Sequence, residues 1–182
     1  MKPQPSHDIL TLPVAGRDHL QGTLDAPCLL LEYGDYECPY CGEAYGLVKQ
    51  VQEALGPDLC FAFRNFPLTN LHPHAQHAAE AAEAAGSQNH FWAMHDMLFE
   101  NQDQLDDDDL AGYARALHLD PLRLMSEVLS GIHTSRVRED FRHGARGGVN
   151  GTPTFFINGV RHAGPLTAEG LFQALTRQRR AR

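Results

Sequence analysis

The chain is 182 residues long, 42% hydrophobic and 21% charged, with a formal net charge of −8. That length suffices for one well-buried core, and the acidic balance argues against nucleic acid or an anionic membrane as main partner. No apolar run reaches transmembrane length and the opening MKPQPSHDIL lacks the apolar stretch of a signal peptide, so the sequence predicts a cytoplasmic protein.

In chain order, residues 9–14 read as a short edge strand and 16–27 as a polar connector. The run 28–32, CLLLE, has strand character. Beyond it Cys41, Tyr45, Val48 and Leu55 recur at helical spacing until Gly56-Pro57 ends the pattern. The stretch 33–45, YGDYECPYCGEAY, therefore places Cys38-Pro39-Tyr40-Cys41 where a strand turns into a helix, with Cys38 at the helix N-terminus. Unpaired backbone N–H groups and the helix dipole favour negative charge there, and the thiolate is the reactive form of cysteine. Two cysteines within one helical turn can also close a disulfide. The chemistry indicated is thiol–disulfide exchange, with an exposed Cys38 attacking at a lowered pKa and a shielded Cys41 resolving at a higher one. Glu37, directly before Cys38, works against the thiolate.

Residues 59–66, LCFAFRNF, alternate as a second strand parallel to the first, making a right-handed βαβ unit. Strand signals then stop until about residue 147. Helices are expected over 75–85, 91–99, 110–117, 122–129 and 135–145, with Phe91, Trp92, Met94, Leu98 and Phe99 as core. Asp106 to Asp109 open one of these helices, and Asp120-Pro121 caps another. The four aspartates lack the glycine and terminal glutamate of a calcium loop. A strand over 154–157, an Asn158-Gly159 turn, a partner strand over 160–163 and a helix over 171–178 capped by Thr167 complete the chain. Arg177 and the arginines after it place cations at the last helix's C-terminus.

Four cysteines do not make a disulfide-stapled scaffold. Cys28 and Cys60, near the starts of neighbouring parallel strands, are close enough to meet and read as buried core thiols. A zinc site at Cys38 and Cys41 needs two further ligands at suitable spacing. His72, His74 and His77, around Pro73 at a helix start, offer a metal cluster as one reading and capping and packing as the favoured one.

These motifs carry a family resemblance. D-H-x-x-G at 18–22, E-Y-G-D-Y-E-C-P-Y-C at 32–41, F-R-N-F-P-L at 63–68, H-P-H-A at 72–75, F-W-x-M-H-D at 91–96 and G-T-P-T-F-F-I-N-G at 151–159 resemble the DsbA-like group of the thioredoxin superfamily. More narrowly, they resemble soluble proteins whose relatives occur fused to sodium/proton antiporters. The resemblance implies an α/β thioredoxin fold, a central mixed sheet flanked by helices. Its core is made by residues 1–67 and 148–182, with an all-helical insertion over 68–147 between the βαβ and ββα halves. It implies a protein dithiol–disulfide oxidoreductase with Cys38 and Cys41 as redox pair, no cofactor and no resident metal. Thr152-Pro153 matches the cis-proline loop that docks substrate chains, and Pro39 and Tyr40 line the surface that substrate meets. Glu32 matches a buried acid that takes the proton of Cys41, and its place in an apolar strand makes an unpaired charge costly. The partners implied are protein or peptide thiols and disulfides, together with a recycling partner. The Pro-Tyr dipeptide, found in glutaredoxins, keeps glutathione open as a partner. A non-catalytic thioredoxin-fold module that senses redox state or binds metal is the reading from another class.

Overall fold

A computed structural model describes residues 9–179. Arg180 to Arg182 of the expected basic end, and the first eight residues, lie outside that range. The described elements are β1 (His19–Gln21), β2 (Cys28–Gly34), α1 (Pro39–Leu55), β3 (Leu59–Asn65), α2 (Ala75–Gly86), α3 (Phe91–Glu100), α4 (Asp107–Ala116), α5 (Pro121–Leu129), α6 (Thr134–Arg146), β4 (Thr154–Ile157), β5 (Val160–Arg161) and α7 (Ala168–Arg177). The sheet order is β1-β3-β2-β4-β5. Strands β2 and β3 are parallel, as a βαβ crossover requires, and β1, β4 and β5 run antiparallel to their neighbours. Among the described residues no helix is long and apolar enough to cross a membrane.

Strands β2 and β3 are buried along their whole length because both faces of the sheet are covered. Cys28, Leu30, Leu59, Phe61 and Phe63 pack with α1, α3 and α7 on one face. On the other face Leu31, Tyr33 and Ala62 pack with Phe66 and Phe156. The helices α2 to α6 all fall between β3 and β4. Alanine makes α2 slender enough to run through their middle, where nine of its residues are buried. Helix α6 crosses close to the sheet at Gly144, where a Cβ would lie 2.9 Å from the rings of Phe66 and Tyr33. Helix α4 opens on a capping box between Asp106 and Asp109.

Three expectations are corrected. Residues 9–14 form no strand: Ile9 makes a single bridge to Val160, and the outer strand beside β3 is His19–Gln21, inside the supposed connector. That segment is held by tertiary partners and not by its own pattern. His19 stacks on Phe91 at 3.4 Å, and the Trp92 indole donates to Leu20 O at 3.0 Å. The last hairpin strand stops at Arg161. Cys28 and Cys60 do not meet, because Cys28 pairs with Leu59 and Leu29 with Cys60. This offset of one residue sends the two sulfurs to opposite faces of the sheet.

The polar anchor of the second face is Arg64, whose side chain is fully buried. Its guanidinium grips Asp18 with two bonds of 2.8 and 3.0 Å and donates to Tyr33 Oη and to the carbonyls of Leu12 and Pro13. Burial raises the Asp18 pKa, but the bonds from Arg64 and the Ala15 N–H, with the charges of Arg64 and Arg17, together outweigh it and hold the carboxyl below its ordinary value. The stabilisation is therefore complete above the unfolded carboxyl pKa and is lost as pH falls through the lowered folded value. Removing one partner strands a buried charge. Asp18→Ala is expected to lower unfolding free energy in urea by about 3–5 kcal/mol. A loss below about 1 kcal/mol, the scale of an exposed pair, would contradict this reading.

Candidate active site

Strand β2 ends at Gly34, and the chain turns through residues 35–37 into α1. Cys38 is the N-cap of that helix with extended backbone (φ −74°, ψ 120°), no side chain caps it, and Pro39 occupies its first turn. The turn leaves the N–H groups of Tyr40 and Cys41 to reach the Cys38 sulfur. Cys41, one turn in, is fully buried and its sulfur accepts the Asp35 N–H at 3.4 Å. The hydrogen bond from the Cys41 thiol does most to stabilise the Cys38 thiolate. Burial opposes it, and the Thr152 side chain and the N–H groups of Cys41 and Tyr40 add to it, bringing the Cys38 pKa down to about 5. Cys41 moves the other way, far above its ordinary value. Burial is the main cause, followed by its bond to Cys38 and the charge of Glu32.

Cys38 is not exposed as its sequence position suggested: only 3% of its surface is open. The loop after α6 and the segment after α3 close over it. Cys38 Sγ lies 3.4 Å from Thr152 O, to which its protonated form donates, and Gln102 Nε2 donates to the carbonyls of Tyr36 and Cys38 at 2.7 and 2.9 Å. Gln102 fits against α1 because residue 42 is glycine; a Cβ there would collide with its amide. The Thr152–Pro153 peptide is cis. Glu32 Oε1 is a buried side-chain oxygen without a hydrogen-bond partner. Glu32 sits between Phe63 and Phe155 in the sheet, 2% exposed. Burial, with the Cys38 charge adding to it, lifts its pKa to about 8. Tyr40 projects outward, 65% exposed, beside Pro39 at the mouth of the site.

Glu37, beside Cys38 in sequence, is tied to the neighbouring helix. Its carboxylate accepts the His74 N–H at 2.6 Å, at the start of α2. The three histidines diverge: His72 bonds Asp35, His74 receives Glu37 on its backbone, and His77 pairs with Asp107 at 2.7 Å. Among the described residues no three metal-ligating side chains are grouped to hold an ion. Sequence reasoning missed Asp35, Gln102 and the buried Tyr36–His95 contact of 3.1 Å. Asp35 reads as an ordinary loop carboxylate, yet it is 1% exposed; only three-dimensional context reveals it.

A family profile described as thioredoxin matches residues 15–177. Among curated relatives, a sodium/proton antiporter, NhaA 1 of Salinispora arenicola, is 45% identical over 160 residues, covering 88% of this chain and 24% of that protein. The chain spans about a quarter of the length of the curated relatives it matches. Among solved structures, BdbD of Bacillus subtilis superposes with a TM-score of 0.84 at 21% identity, covering 94% of this chain and 97% of that one. A thioredoxin-like oxidoreductase of Silicibacter pomeroyi gives 0.81 at 26% identity, covering 92% and 95%.

The asymmetry between the two sulfurs is directly measurable. Thiolate absorbance of the reduced protein is expected to titrate with a midpoint near 5, the value to which the site brings Cys38, and Cys38→Ser is expected to abolish that transition. A midpoint at the free-thiol value of about 8.5 would show that the helix N-terminus does not act on this sulfur.

Proposed function

The chain belongs to the thioredoxin family, and from that premise we propose that it is a thiol–disulfide oxidoreductase exchanging disulfides with protein or peptide thiols. The observation that carries this reading is the split pair at the start of α1: Cys38 stabilised as thiolate, Cys41 held as thiol, one turn apart. Ion antiport, named for much longer relatives, is not carried over to this chain.

In the oxidising direction a substrate thiolate attacks Cys38 Sγ of the protein disulfide. The bond to Cys41 breaks, and Cys41 leaves with the electron pair. A second substrate thiolate then attacks the substrate sulfur of the mixed disulfide, and Cys38 departs as thiolate. The substrate has lost two electrons and the cysteine pair has gained them. Cys38 is the better leaving group because its thiolate is stabilised, and Cys41 is the poorer one because burial opposes its charge. Glu32, with its pKa near 8, is largely protonated at neutral pH and supplies a proton to Cys41 as the first bond breaks. In the reducing direction its ionised fraction accepts that proton. The Thr152-Pro153 loop, whose carbonyl already meets Cys38, docks the backbone of the substrate chain, with Pro39 and Tyr40 along the same mouth.

Two variants separate these roles. Cys41→Ser is expected to accumulate a mixed disulfide at Cys38 with a disulfide substrate, and Cys38→Ser to form none. An active Cys38→Ser protein would overturn the assignment. Glu32→Gln is expected to slow closure of the Cys38–Cys41 disulfide by about a hundredfold near neutral pH. An unchanged rate from pH 6 to pH 9 would remove Glu32 from the proton path.

A further inference from the structure

The stretch 33–45 contains Asp35, Glu37 and Glu43 and no cationic side chain, and Glu32 directly precedes it. Negative neighbours favour the neutral form of a thiol. Tyr40, between the cysteines, carries no charge to offset them and points to solvent. The offsetting cation comes from outside the motif. His72 lies in the loop between β3 and α2, and its Nδ1 is 2.8 Å from Asp35 Oδ2. That oxygen also accepts the Leu68 N–H at 2.8 Å, while Oδ1 accepts the Glu37 N–H at 2.9 Å. Through its backbone Asp35 takes the Cys38 N–H at 3.1 Å and gives its own N–H to Cys41 Sγ at 3.4 Å. One buried residue thus ties the loop that carries His72 to both cysteines.

The charges that act most on the imidazole are those of Asp35, Cys38 and Glu37. Burial works against a charge on His72, but the Asp35 bond and charge outweigh it and raise the histidine above its ordinary value, so it stays cationic while Cys38 titrates near 5. We propose that His72, held in place by Asp35, is the positioning cation of the active site, stabilising the Cys38 thiolate across space and so favouring the reduced form of the pair. This rests on the redox reading above and adds to it a residue that the Cys-Pro-Tyr-Cys motif does not contain. The Cys38 charge is among those that hold the imidazole protonated, and the interaction is reciprocal, so the imidazolium favours the Cys38 thiolate.

The test compares wild type, His72→Asn and His72→Lys. Asparagine keeps a donor for Asp35 without the charge, and lysine keeps the charge. Each is titrated by thiolate absorbance and equilibrated with reduced and oxidised glutathione, in which protein disulfide and two glutathione thiols exchange with protein dithiol and one glutathione disulfide. His72→Asn is expected to raise the Cys38 midpoint by about one pH unit and to shift the exchange about tenfold toward the protein disulfide, about 30 mV. His72→Lys is expected to stay near wild type. Coincident titrations for wild type and His72→Asn would overturn the inference. So would equal shifts in both variants, which would mark packing and not charge as the cause. Failure of the wild-type protein to form any Cys38–Cys41 disulfide with glutathione would instead defeat the redox reading, and the thiol titration would still decide the role of His72.

Discussion

A sulfur with 3% of its residue exposed has to be held as an anion. Burial opposes this, so the surroundings must supply directed donors. The strand-to-helix turn does so. Because Pro39 starts α1 and no side chain caps it, the N–H groups of the first turn are available to Cys38. The same turn buries Cys41, which keeps its proton and lends it to Cys38 as a hydrogen bond. Directed donors at one sulfur and uncompensated burial at the other thus become a difference in acidity.

The rest of the fold supplies the rigidity for that arrangement. Strand β2 delivers the turn from the centre of the sheet, hydrogen-bonded to β3 on one side and β4 on the other. Strand β4 follows the Thr152-Pro153 loop and so fixes it opposite Cys38. The helical segment closes the site from a third direction through Gln102, which bonds two carbonyls of the turn. Behind the sheet, the Arg64–Asp18 pair and the close crossing at Gly144 lock the first strand and α6 to the same frame.

Much of this was legible in the chain. The apolar run 28–32 followed by Cys38-Pro39-Tyr40-Cys41 locates the strand–helix junction, and Asn158-Gly159, with positive φ at both residues, marks the hairpin. Glu32 stands out because a carboxylate interrupts leucines. What the chain does not disclose depends on partners distant in sequence. Residues 19–21 have no strand pattern and become one through Phe91 and Trp92. Asp35 looks like a solvent-facing turn residue until Leu68 and His72 fold over it. The facing of Cys28 and Cys60 hangs on a register offset of one residue, which no local pattern specifies.

The central claim is that the site stabilises the reduced pair through the Cys38 thiolate, and the reduction potential of the Cys38–Cys41 couple tests it most directly. A thiol pKa near 5, against about 7 for thioredoxin, corresponds to roughly 60 mV above thioredoxin's potential of about −270 mV. The expected value is about −210 mV. A potential at or below about −270 mV would contradict it.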